Sequence, residues 1–130
     1  MIQQPLRGSP RVARMLTILF VEDDRAVRDI IMQMLYQRGF AVLTAADAYD
    51  AIRILSERQV DVLFTDIMMP GMDGVELAKQ ARLIQPGIKV LFETGYAQLA
   101  TTRRAVSYGQ VLYKPLREAE IVAAIQALAA

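Results

Sequence analysis

Short β-branched and aliphatic runs alternating with stretches of helical spacing constrain this chain more than any other feature. The runs are Leu16–Val21, Phe40–Thr44, Val60–Thr65, Ile88–Phe92 and Gln110–Tyr113. Between them lie segments of a different period. In residues 25–38, Val27, Ile30, Ile31, Met34 and Leu35 fall on one stripe of a helix, and Gly39 supplies its stop. Asp47 stands as an N-cap before a helix over Ala48–Glu57 that would bury Ala51, Ile52 and Leu55. A loop over Met68–Gly74, with Pro-Gly and Asp-Gly steps, leads into a helix through Ile84, and Pro86-Gly87 turns the chain into the fourth run. Helices over residues 98–107 and 118–129 complete the alternation.

Strands alternating with helices of this length build βα units and a parallel sheet. The first, third and fourth runs are almost continuously apolar, as strands are when helices cover both faces. Right-handed crossovers then predict a three-layer α/β sandwich around a five-stranded parallel sheet, in the flavodoxin-like order 2-1-3-4-5. Residues 16–130 would form that one domain. Residues 1–15, with Pro5, Gly8, Ser9 and Pro10 and no apolar period, read as a flexible leader or a remnant of cloning.

Composition narrows the functions open to such a fold. No apolar run approaches the ~20 residues a membrane span needs, and the first run ends at Glu22-Asp23-Asp24, too short for an export signal. A cytoplasmic, membrane-free protein is the expectation. The chain has no cysteine and no histidine, which excludes thiolate and imidazole metal sites and any Ser-His or Cys-His triad. Its net charge of +1 owes everything to Arg7, Arg11 and Arg14, beyond which twelve bases face fourteen acids. That balance argues against a nucleic-acid partner.

In a parallel sheet the C-terminal strand ends share one edge, where ligands of open α/β sheets bind. Glu22-Asp23 follows the first run, Asp66 the third, Thr94 the fourth and Lys114 the fifth. Two carboxylates about 5 Å apart repel by about 3 kcal/mol at an effective dielectric near 20, so such a cluster asks for a hard cation. Oxygen donors of this kind suit Mg²⁺. With a carboxylate nucleophile at Asp66 and the charge of Mg²⁺, Lys114 and the Thr94 hydroxyl around it, the edge could perform phosphoryl transfer.

Val21-Glu22-Asp23-Asp24, Asp66-Ile67-Met68-Met69-Pro70-Gly71-Met72-Asp73-Gly74, Thr94-Gly95 and Lys114-Pro115, in this order and each at a strand end, resemble the response-regulator receiver family over residues 16–129. The resemblance implies that Asp66 is the phosphoacceptor of a two-component phosphorelay, charged by a histidine kinase or histidine phosphotransfer protein in trans. It implies that Asp23, Asp66 and the Met68 carbonyl bind Mg²⁺ directly, with Glu22 doing so through water. Thr94 would sense the phosphoryl group and Lys114 would pair with it, across a cis Lys114-Pro115 bond. Such a protein is not an enzyme in its own right, although it assists its own phosphorylation and dephosphorylation. Its downstream partner would read the surface of strand four, the fourth helix and strand five.

One position departs from the family pattern. Many receivers carry an aromatic ring three residues before the lysine, where this chain has Val111. With Glu93-Thr94-Gly95-Tyr96-Ala97, this looks like receivers attached to hybrid histidine kinases, and it leaves Tyr96 as the ring placed to cover the site. Asp24 is read as a helix cap. Three rivals carry weaker support. A haloacid-dehalogenase-type phosphohydrolase wants a second acid where Met68 stands, and a nucleotide- or flavin-binding module wants glycines where Glu22-Asp23-Asp24 stand. A pseudo-receiver would have lost site residues that are all present here.

Overall fold

The computed structural model describes residues 15–97 and 99–130; the expected leader lies outside the described residues except for Met15. Ten elements alternate strictly: β1 Thr17–Val21, α1 Arg25–Gln37, β2 Ala41–Ala45, α2 Ala48–Glu57, β3 Val62–Asp66, α3 Gly74–Ile84, β4 Lys89–Thr94, α4 Ala100–Ala105, β5 Gln110–Tyr113 and α5 Glu118–Ala129. The strands are all parallel, in the order β2-β1-β3-β4-β5. This is the doubly wound, flavodoxin-like sheet that the alternation predicts.

The strand pleat divides the core. Ile18 and Phe20 of β1, Val62 and Phe64 of β3, Leu91 of β4 and Leu112 of β5 point to one face, where Leu35 of α1 and Ile121 and Ile125 of α5 cover them. Leu19, Val21 and Leu63 point the other way, against Ala51 and Leu55 of α2 and Leu77 and Ala81 of α3. A third cluster joins Val90 and Phe92 of β4 to Val75 and Ala78 of α3 and Ala105 of α4, and Val111 packs against it.

Caps and turns fall where the side chains dictate. Asp24 Oδ1 accepts from the amides of Ala26 and Val27, and Asp47 from Asp50, each satisfying donors that a helix start leaves free. Gly39 takes φ +93°, in the left-handed region that ends α1 without a Cβ clash. Gly74 is required by proximity: a Cβ there would sit 2.3 Å from the Asp66 carbonyl oxygen, which ties the start of α3 to the acceptor strand.

Boundaries differ from expectation mainly around β3 and β4. The Val60 amide is taken by the Gln85 side chain, which keeps residue 60 outside β3, whereas the Asp61 backbone still bonds Thr17 and Lys89 just before the strand begins, and its side chain accepts from the Thr17 amide. β4 runs two residues past Phe92, so that Glu93 pairs with Asp66 and Thr94 with Tyr113 in register. The fourth helix is shorter than the expected 98–107: Gln98 lies outside the described residues, and Tyr108 and Gly109 both turn back onto the Ala105 carbonyl.

Candidate functional site

Reading up the face covered by α1 and α5, every second residue of the inner strands is apolar until the last rung. Phe20, Phe64, Leu91 and Leu112 give way to Glu22, Asp66, Glu93 and Lys114, each two residues further along its strand. The registers Asp66↔Glu93 and Val21↔Thr65 place the three acids side by side on neighbouring strands. Their carboxylate oxygens come within 4.8 Å of one another, and all three residues are buried.

Asp66 is 6% exposed and doubly held: its Oδ1 accepts from the Met68 amide at 3.1 Å, and its Oδ2 from Lys114 Nζ at 3.2 Å. Lys114 also lies 3.8 Å from Glu22 Oε1. The peptide bond that follows it to Pro115 is cis, as the resemblance implies. The Glu22 side chain accepts from the Asp24 amide through Oε2, whereas its Oε1 has no hydrogen-bond partner. Its carbonyl oxygen is held by Arg28 Nη1 at 2.8 Å, which fixes the β1–α1 turn.

The electrostatics follow from burial and surplus negative charge. Burial, with the charges of Glu22 and Asp66 adding to it and Lys114 opposing, pushes the Glu93 carboxyl up to about 9. Burial also raises Glu22, against the pull of the Asp24 amide, of a hydrogen bond with the Glu93 carboxyl and of Lys114. Burial alone would lower Lys114, but attraction to Asp66 and Glu93 outweighs it and holds the ammonium above its ordinary range.

Glu22, Asp23, Asp24, Asp66, Met68, Gly95, Tyr96 and Lys114 line an open cavity of about 470 Å³. Asp23 therefore borders the same space as Glu22 and Asp66 but is exposed and stands outside the close cluster that those two make with Glu93. Thr94 is fully buried on the opposite face of β4, and its Oγ1 accepts from the Tyr96 amide at 3.0 Å. Through that bond the hydroxyl sets the course of the loop that carries Tyr96, whose ring is 59% exposed at the cavity. A second cavity of similar size, about 450 Å³, opens at the other end of the strands near Leu16, Val60, Pro86 and Leu128, with no comparable cluster of acids among the described residues.

Glu93 is the residue that the reading of the sequence left without a role. Ending the fourth strand at Phe92 put Glu93 in a loop. Extending the strand to Thr94 and counting alternate positions from Leu91 would have placed it beside Asp66. As a donor set, carboxylates with one unsatisfied buried oxygen at Glu22 and a nearby backbone carbonyl fit a hard divalent cation such as Mg²⁺.

Comparison with known proteins agrees with this geometry. Residues 18–126 match the response regulator receiver domain family. The chain is 36% identical over 111 residues to the response regulator receiver protein CpdR of Brucella abortus (strain 2308), covering 84% of this chain and 92% of that protein. It is 40% identical over 89 residues to the sensor kinase CckA of the same organism, covering 67% of this chain but only 9% of the kinase. Its backbone also superposes on the crystal structure of a CheY-like receiver domain protein from Methanospirillum hungatei JF-1 with a TM-score of 0.82 and 29% identity, over 88% of this chain and 93% of that one. A family match spanning all five strands, on a sheet whose charged rim stands at the strand ends, makes this chain a member of the response regulator receiver family, the phosphoacceptor domains of two-component signalling.

Proposed function

We propose that Asp66 is the residue that takes the phosphoryl group. The observation that carries this is the pairing of its Oδ2 with Lys114 Nζ at 3.2 Å, at the mouth of a cavity open to a donor. In the transfer, an Asp66 carboxylate oxygen forms a bond to phosphorus. The bond from phosphorus to the ring nitrogen of a donor phosphohistidine breaks, and that nitrogen keeps the electron pair. The donor belongs to a histidine kinase or a phosphotransfer protein, because this chain has no histidine.

Glu22, Asp23, Asp66 and the Met68 carbonyl would hold Mg²⁺. When bound, Mg²⁺ supplies positive charge to the transferring oxygens. Lys114 neutralises charge on the same oxygens, and it is pre-positioned by the acceptor itself. The Met68 amide orients Asp66 by holding its other oxygen. Thr94 reads the product: turning its hydroxyl toward the phosphoryl group would release the Tyr96 amide and shift Gly95 and Tyr96. With Val111 packed in the core rather than a ring, Tyr96 and the exposed side chains of Leu99, Val106 and Tyr113 form the surface that changes. A downstream protein would read that surface, in the cytoplasm.

Incubation with phosphoramidate and Mg²⁺, followed by intact-mass measurement, tests the assignment. The wild type gains one phosphoryl group and Asp66→Asn gains none. Equal labelling of the Asn variant would remove Asp66 from the role.

A further inference from the structure

Glu93 is the most costly side chain in this structure for the role so far given to it. It is 0% exposed, and no donor of another described residue reaches either carboxyl oxygen, so that only its own proton, shared with the Glu22 carboxyl, offsets that burial. Leaving a buried polar atom unsatisfied is costly, and more so when the group is charged. Packing does not require a glutamate there, because the rungs below it on the same face are filled by Leu91 and Leu112. Lys114 offsets it only from a distance, since the close ion pairs of that ammonium are with Asp66 and Glu22. A buried acid that no other residue donates to, within 4.8 Å of two further acids, is a ligand set short of its ligand.

We infer that Glu93 is a further ligand of the divalent cation, binding it directly or through one of its waters, so that four acids rather than three surround the ion. Glu93 stands beside Asp66 on β4, with a carboxyl oxygen within 4.8 Å of those of Asp66 and Glu22, while Asp23 borders the cavity from the β1 side. An added carboxylate raises the affinity of an oxygen site for a hard cation through its charge, and Glu22 Oε1, which no donor hydrogen-bonds, belongs to the same cluster. The inference rests on the cation reading given above, and concerns only which side chains reach the ion.

Titration of the metal-free protein with Mn²⁺, with the free ion counted by electron paramagnetic resonance, tests it without any phosphoryl transfer. Wild type should bind one Mn²⁺ at this site, and Glu93→Gln should bind it about 10-fold or more weakly, as loss of a coordinating or ligand-orienting group typically does. Glu120→Gln, an exposed acid at the start of α5, should bind as wild type does. If Glu93→Gln binds within twofold of wild type, Glu93 is no ligand and the cation site of Glu22, Asp23 and Asp66 stands without it. If wild type itself binds no Mn²⁺, the cation reading fails and this inference with it. Should Glu93→Gln fail to fold, a Mn²⁺-soaked crystal of the wild type decides. The inference requires a Glu93 oxygen about 2.1 Å from the ion or hydrogen-bonded to one of its waters. An ion with Glu93 in neither arrangement overturns it.

Discussion

On the sheet face under α1 and α5, two successive rungs of the same strands are built to opposite ends. The lower rung packs Phe20 against Phe64 with ring centroids 4.9 Å apart and closes over Leu91 and Leu112, leaving nothing polar behind. The upper rung sets Glu22, Asp66 and Glu93 together, with three buried oxygens that find no partner and a single ammonium to offset them. One rung gains free energy from burial; the other spends part of it on a site that is satisfied only when something positive arrives. Fold and function in this domain are therefore separable at a spacing of two residues along each strand.

Breaking the lower rung should give the largest effect on stability. Phe64→Ala removes a fully buried ring and should cost about 3–5 kcal/mol, read as a lowered urea midpoint with a nearly unchanged slope. A cost below about 1 kcal/mol would mean that the lower rung is not the core we describe.

Filling the upper rung should raise stability, because only the fold brings its acids together. Mg²⁺ at about ten times its dissociation constant should add about 1.4 kcal/mol to unfolding, and Asp23→Ala should lose most of that gain. An equal gain in both proteins would place the ion elsewhere.

Asp24 sharpens the contrast between neighbouring acids at the rim. Asp24→Ala should cost about 1 kcal/mol through its lost cap while leaving phosphoryl uptake intact. Its neighbour Asp23 should behave in the opposite way.

The subtlest expected effect is one of slope. In metal-free buffer the folded protein holds a proton on Glu93 up to about 9, whereas the unfolded chain releases it near 4.5. Glu93 thus contributes stability that is complete below the lower value and is lost as pH rises toward the upper one. Glu93→Gln has no such proton, so its melting temperature should gain on that of the wild type between pH 5 and 8. Parallel curves would mean that Glu93 is not held protonated in the fold.

These contrasts also explain what was readable in the sequence. The alternation of strands and helices and the apolar rungs follow from periodicity, and Asp66 and Lys114 stand out because turn and strand signals bracket them. Glu93 does not stand out, since a glutamate after an apolar run reads as the start of a loop; only its register with Asp66 shows that it is buried. The early ends of the strand readings share that origin, because period-two patterns fade at a rim where the residues become polar for function. Gln85 illustrates the complementary case: its side chain bonds the Val60 amide and the Leu55 and Arg58 carbonyls, a long-range staple with no local pattern to announce it.

The central claim is that the upper rung exists to make Asp66 a phosphoacceptor. Its most direct test is to phosphorylate the protein with phosphoramidate and Mg²⁺, reduce the acyl phosphate with borohydride, and locate the resulting homoserine by tandem mass spectrometry. The account predicts homoserine at position 66 and nowhere else. Homoserine at Asp23 or another acid, with position 66 unchanged, would contradict it.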